Sequence, residues 1–173
     1  YADNGLDKTT KTVDVRHILV LPEGATVENV TTETFSDEAW AAGEAKAKEL
    51  LDQWLSGDKT EDSFALLANE NSADTGSNTN GGLYTGVSQG QMVTEFNDWC
   101  FDDNRQVGDY GIVKTQFGYH IMLFCGSETL WQSQAKEDLL TQKTNDFISE
   151  ARAAAEATID YSAIKLGFVD MSE

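Results

Sequence analysis

Apolar residues crowd into one short run near the start of the chain. Residues 13–21 (VDVRHILVL) are β-branched or aliphatic at most positions, which predicts a buried strand stopped by Pro22 and Gly24. The rhythm then changes. Between about 37 and 55, Ala47, Leu50, Leu51 and Trp54 recur at i, i+3, i+4 and i+7, one face of a helix, and Ser56-Gly57 supplies a stop. Thr60 is placed to cap a second, shorter helix with Phe64, Leu67 and Ala68 on its inner side. Residues 71–82 (NSADTGSNTNGG) are small, polar and Gly-rich, hence a loop, and 83–87 predicts a short strand. Ser88 and Gln91 read as an S-x-x-Q capping box, with Val87 and Met92 as its hydrophobic staple. The helix they open carries Met92, Val93, Phe96, Trp99 and Cys100. Residues 110–114 and 119–125 predict two strands joined by a turn at 115–118. From 127 to about 157 the pattern is helical again, with Leu130, Trp131, Ala135, Leu139, Phe147, Ile148 and Ala151 as inner positions. A weak alternation over 159–169 reads as an extended segment.

The order strand, helices, strand, helix, hairpin predicts an α+β domain over 13–126. Residues 1–12 read as a flexible lead-in, and 127–173 as a mostly helical appendage. The 173-residue chain is 40% hydrophobic, enough for an ordinary core. Twelve Lys and Arg against thirty Asp and Glu give a net charge of −18. That balance argues against nucleic acid or an anionic membrane surface as a partner, since both need clustered cations. No apolar run approaches the ~20 residues of a membrane-spanning helix. Two cysteines rule out a disulfide-rich scaffold. The chain starts at Tyr1 with no visible signal peptide, which reads as a processed boundary and says little about compartment.

The chain has only two histidines, His17 in the first predicted strand and His120 in the last. Strands from opposite ends of a domain often pair centrally in a sheet, which would bring the two rings together. The alternative is two unrelated, half-buried histidines with satisfied nitrogens. A metal site is disfavoured: there is no H-x-x-H, H-E-x-x-H or C-x-x-C. The loop from Asp74 fails as a calcium loop, because Gly76 and Val87 occupy ligand positions of the frame. There is no G-x-S-x-G nucleophile motif. Cys100 and Cys125 read as small core residues, with a disulfide between them left open.

With these elements in place, the residues resemble the parvulin peptidyl-prolyl isomerases. The likeness runs through RHILV at 16–20, FALLANENSADTGSNTNGGL at 64–83, SQGQMVTEFNDWCF at 88–101 and VGDYGIVKTQFGYHIMLF at 107–124. It implies an FKBP-like fold: a small, four-stranded, mainly antiparallel sheet with about four helices, plus the C-terminal helical appendage. It also implies that His17 and His120 are the family's paired histidines, that Asp74 sits where the family has Asp or Cys, and that Thr115 holds the histidine network. Leu83, Met92 and Phe96 match the apolar seat for a proline ring, and Phe117 and Tyr119 flank the last histidine. One departure stands out. The usual Gly-Gly-Asp-Leu-Gly becomes Gly81-Gly82-Leu83-Tyr84-Thr85-Gly86, without the Asp and shifted in length.

Rotation about X-Pro breaks no bond, so the implied chemistry needs no metal and no organic cofactor. The implied partner is a proline-containing unfolded polypeptide, with no membrane insertion by this chain. Phosphate recognition is not expected. The loop after the first strand carries Glu23, Glu28, Glu33, Asp37 and Glu38, and no Lys or Arg occurs between His17 and Lys46. A parvulin with a long helical extension resembles the isomerase domain of extracytoplasmic bacterial foldases of the PrsA and SurA types. That resemblance implies a secreted or membrane-anchored setting, with the appendage self-associating or packing on an N-terminal chaperone region. The competing class is a catalytically weak module that binds unfolded chains as a holdase.

Overall fold

The computed structural model describes residues 9–154. In chain order these form β1 (Lys11–Val20), α1 (Asp37–Ser56), α2 (Glu61–Asn71), β2 (Leu83–Ser88), α3 (Thr94–Cys100), β3 (Tyr110–Thr115), β4 (Gly118–Thr129) and α4 (Leu130–Ala154). A single 3-10 turn at Asn78–Asn80 precedes β2. The strands make one sheet in the order β2-β1-β4-β3, with every neighbouring pair antiparallel. The most apolar run in the sequence and the last strand of the hairpin thus lie side by side at the sheet centre, with His17 opposite Met122 and Leu19 opposite His120.

Successive side chains of a strand point to opposite faces, and each face here has its own cover. Ile18 and Val20 of β1 and Tyr119, Ile121 and Leu123 of β4 point to one side. There they meet Ala47, Leu50 and Trp54 of α1 and Phe64, Leu67 and Ala68 of α2. Both helices begin on side-chain caps: Ser36 accepts from the Ala39 amide, and Thr60 and Ser63 form a reciprocal capping box. Val13, Val15, Met122 and Phe124 point to the other side, under Val87 of β2 and Phe96 and Cys100 of α3.

Several boundaries differ from the expected ones. β1 starts at Lys11 and buries Thr12, so the expected lead-in of 1–12 gives up its last two residues to the sheet. The Gln91 side chain does reach back to the Ser88 amide at 3.0 Å. No helix starts there: Gly90 turns the chain at φ +84°, and α3 begins at Thr94. Residues 127–129 are not helical. They extend β4 and pair with 11–13, because β1 offers free backbone partners there. α4 then runs to Ala154.

The chain divides into two compact units at Gln134/Ala135. In the second unit, Leu139, Phe147 and Ile148, expected to face inward, are 51%, 70% and 40% exposed. The expected extended segment at 159–169 lies outside the described residues. Cys100 and Cys125 are both free and pack on opposite faces of the sheet, and burial pushes their thiols up to about 12 and about 11.

Candidate active site

The site is built on the face covered by α3. His17 is held by its backbone: its amide donates to the Gly82 carbonyl at 2.8 Å. Gly82 sits at φ +69°, and a Cβ there would lie 2.1 Å from the His17 carbonyl oxygen, so only glycine permits this approach. His120 is placed by the hairpin of β3 and β4. Gly118 makes its turn possible at φ +143°, where a Cβ would strike the Val20 carbonyl.

The rings of His17 and His120 stack with centroids 5.2 Å apart and planes 22° from parallel. Their Nδ1 atoms are 3.0 Å apart. His17 Nε2 lies 2.8 Å from Asp74 Oδ2, and His120 Nε2 lies 2.9 Å from Thr115 Oγ1. Thr115 Oγ1 itself accepts the Phe117 amide at 3.1 Å. With both imidazoles neutral, these contacts have one consistent proton arrangement. The Asp74 carboxyl is held well below the usual carboxylate range, first by the hydrogen bond from His17, then by those from Ser77 and Tyr84. An ionised carboxylate accepts only, so a neutral His17 donates from Nε2 and its Nδ1 is an acceptor. His120 must then donate from Nδ1, leaving Nε2 to accept from Thr115, whose oxygen is free to accept from the Phe117 amide. In that arrangement both tautomers follow from the Asp74 carboxylate at one end of the chain. Burial, together with the neighbouring His17, depresses the His120 pKa to about 3, so that ring is neutral at physiological pH.

Above the rings lies a cavity of about 290 Å³. His17, His120, Asp74, Thr75 and Tyr84 bring polar groups to its lining; Met92, Val93, Phe96 and Phe117 form much of its apolar wall. Phe96 stands edge-on to both imidazoles with centroids 5.4 Å away. Leu19 and Leu21 continue the wall, and Val27 and Val30 reach it from the acidic loop between β1 and α1. Among the described residues no three His, Cys, Asp or Glu converge as metal ligands.

Seven of the nine residues singled out from the sequence meet here: His17, Asp74, Thr115 and His120 in the hydrogen-bonded chain, and Met92, Phe96 and Phe117 around the cavity. Two do not. Tyr119 points to the opposite face, where its ring meets Trp40 at 6.0 Å. Leu83 pairs with Arg16, so it too faces away, and Tyr84, opposite Val15, takes the place in the lining. Ser77 and Tyr84 went unnoticed in the sequence. Ser77 is buried and donates to Asp74 Oδ2 at 2.5 Å. The spacing D-x-x-S was the available signal, since such short polar residues close turns on themselves.

The family model described as PPIC-type PPIASE domain matches residues 4–125. The chain is 38% identical over 111 residues to the foldase protein PrsA of Exiguobacterium sibiricum, covering 64% of this chain and 32% of that one. It is 42% identical over 80 residues to the foldase protein PrsA 3 of Bacillus cereus, covering 46% and 26%. The chain therefore spans about a third or less of the length of these curated relatives. Among solved structures, PrsA from Bacillus subtilis matches with a TM-score of 0.52 at 27% identity, over 87% of this chain and 51% of that chain. The peptidyl-prolyl isomerase ESS1 from Candida albicans matches with a TM-score of 0.53 at 25% identity, over 70% and 66%.

Proposed function

The chain belongs to the PPIC-type peptidyl-prolyl isomerase domain family, the parvulins, and on that premise we propose that it catalyses cis–trans rotation of unphosphorylated X-Pro bonds in unfolded polypeptides, as a foldase. The observation that carries this reading is the Nδ1-to-Nδ1 bond of 3.0 Å between His17 and His120 at the base of an apolar cavity.

Rotation about an amide faces a barrier of ~18–20 kcal/mol, because resonance gives the C–N bond partial double-bond character. The planar amide is the more polar state, so a water-poor seat with few dipoles disfavours it relative to the twisted amide. Met92, Val93, Phe96 and Phe117 supply such a seat for the proline ring. The histidine rings present fixed faces and no free N–H, since every ring nitrogen is engaged within the chain of hydrogen bonds. Asp74 ends that chain as the one anion in the lining, beside the position of the substrate carbonyl, where it opposes build-up of negative charge on the oxygen and so favours loss of resonance. His17, His120, Asp74 and Thr115 thus act as one rigid unit.

Charge sets the substrate class. Asp74 brings a carboxylate to the cavity lining, no Lys or Arg is among the described residues that line it, and the loop bearing Val27 and Val30 carries Glu23, Glu28 and Glu33. A phosphate at the residue before proline would meet these carboxylates and no Lys or Arg. Similarity to PrsA foldases supports a wider setting outside the cytoplasm of a bacterium, with secreted proteins in the course of folding as clients. No described helix is long and apolar enough to cross a membrane. The isomerase domain is taken as 13–126, with 127–173 as an extension toward a chaperone region. Likewise, retention of the whole histidine chain supports turnover over mere holding.

The test is the cis-to-trans rate of an unphosphorylated Ala-X-Pro-Phe peptide with and without the protein, beside a His120→Ala variant. The expected result is acceleration by the parent and a loss of about 10²-fold in the variant, the scale on which one positioned group contributes. A folded parent that suppresses client aggregation without accelerating the peptide would replace this reading with a holdase.

A further inference from the structure

We infer that Tyr84 is a positioning residue for the proposed isomerase: its hydroxyl locks Asp74 in the one orientation that sets the direction of the whole His17–His120–Thr115 chain. This rests on the isomerase reading.

Asp74 Oδ2 receives three donors, His17 Nε2 at 2.8 Å, Ser77 Oγ at 2.5 Å and Tyr84 Oη at 2.9 Å, while Oδ1 takes the Gly76 amide at 3.1 Å. Ser77 and Gly76 belong to the same turn as Asp74 and move with it. The turn is tied to β1 by the Ala73 amide to the Leu19 carbonyl at 2.9 Å and by the Leu19 amide to Ser72 Oγ at 3.0 Å, and Ser77 Oγ lies 3.2 Å from His17 Nε2; the two backbone ties place the turn and leave the rotation of the carboxylate to the groups it meets. Only His17 from β1 and Tyr84 from β2 bind the carboxylate from outside the turn. His17 is the group being oriented, so it cannot also serve as the fixed reference. Tyr84 is the remaining side chain that holds the carboxylate from the sheet. Its strand is paired to β1 through Val15 and its ring lies 5.4 Å from the His17 ring. Its hydroxyl thereby fixes the rotation of the carboxylate toward the imidazole.

The turn is shaped around this hydroxyl. A Cβ on Gly76 would sit 3.2 Å from Tyr84 Oη and 3.3 Å from Asp74 Oδ1, tighter than ordinary contact. Gly76 is not at positive φ, so its missing side chain answers to space and not to backbone conformation. The Tyr84 ring also lines the cavity, which puts a phenol beside a seat that is otherwise apolar. Its hydroxyl is spent on Asp74, so it presents no loose polar atom to the proline ring. Burial and the Asp74 carboxylate both raise the phenol's pKa, which keeps it a donor through the working range.

The experiment is a double-mutant cycle on the peptide rate. Tyr84→Phe keeps the ring and removes the hydroxyl. We expect kcat to fall about ten-fold, the scale of one charge-assisted hydrogen bond, with KM within about two-fold. In an Asp74→Ala background the same substitution should change kcat less than about two-fold, because the group it positions is gone. Gly76→Ala presses its methyl against the Tyr84 hydroxyl and should lower kcat in the parent, and do so less in Tyr84→Phe. Far-ultraviolet circular dichroism and the thermal midpoint establish that each variant is folded. Equal effects of Tyr84→Phe in both backgrounds, or a rise in KM with kcat unchanged, would overturn the positioning role. If the parent accelerates the peptide and neither Tyr84→Phe nor Gly76→Ala does less, Tyr84 is excluded while the isomerase reading stands. No acceleration by the parent removes both.

Discussion

The two faces of the sheet are made by the same strands and serve opposite ends. On one face Ile18, Val20, Ile121 and Leu123 lie under two long helices, α1 and α2, and form an apolar layer with Trp54 and Phe64 edge-on at 5.4 Å. On the other, the neighbouring residues of the same strands include His17 and His120, and the cover is the seven-residue α3. A short helix cannot roof the whole face, so a cavity of about 290 Å³ stays open above the imidazoles. Alternation along a strand thus lets one pair of strands carry a filled core and an open site, one residue apart. Stability should be concentrated on the first face and turnover on the second.

The largest expected effect probes the filled face. Phe64 is fully buried between Trp54 and the sheet, so Phe64→Ala removes a large ring from a region with no room to collapse. A loss of about 3–5 kcal/mol is expected in urea denaturation. A loss below about 1 kcal/mol would show that α1 and α2 do not hold the fold, and the contrast between the faces would fail.

Acid separates the faces next. The His120 pKa is depressed to about 3 in the folded protein, against 6.5 as the ordinary value. Between these values the unfolded chain binds a proton that the folded one does not. Stability is therefore fully present above pH 6.5 and is lost as the pH falls through the window, by up to about 1.4 kcal/mol per pH unit. Asp74 has its carboxyl lowered, so its own contribution is lost only below its ordinary value of 3.8. Unfolding free energies at about pH 7 and about pH 5 should diverge in the parent and converge in His120→Gln. Equal slopes in the two proteins would mean that the imidazole is not held neutral by burial.

The same contrast explains what could be read from the chain alone. The core face was legible because its signals are local: helical spacing in 47–54, a cap at Thr60, and a β-branched run at 13–21. His17, His120 and Thr115 were legible because they stand at strand positions within the parvulin resemblance. The failures fall where long-range register decides. Leu83 and Tyr84 are adjacent, and which of them lines the cavity depends on the pairing of β2 with β1, including an irregularity between Val13 and Val15. A one-residue slip exchanges the faces, and nothing inside 83–88 specifies it. Tyr119 was misplaced by the same alternation, as the neighbour of a site residue on a strand. Val27 and Val30 reach the cavity from a loop whose path is tertiary. The false helix start at Ser88 had correct local chemistry, but Gly90 at φ +84° ended the turn before a helix could follow.

The smallest stability effect is expected at the wall of the cavity. Met92 is half-buried and borders space that is already open. Met92→Ala therefore widens an existing opening and leaves no enclosed void. The cavity penalty that dominates at Phe64 is absent, and only part of the transfer term remains, about 1 kcal/mol or less. The proline ring, by contrast, loses one side of its seat, so KM for the peptide should rise several-fold while the thermal midpoint moves little. A stability loss matching that of Phe64→Ala would mean that the space above the histidines is packed in solution, and the distinction between a filled face and an open one would be gone.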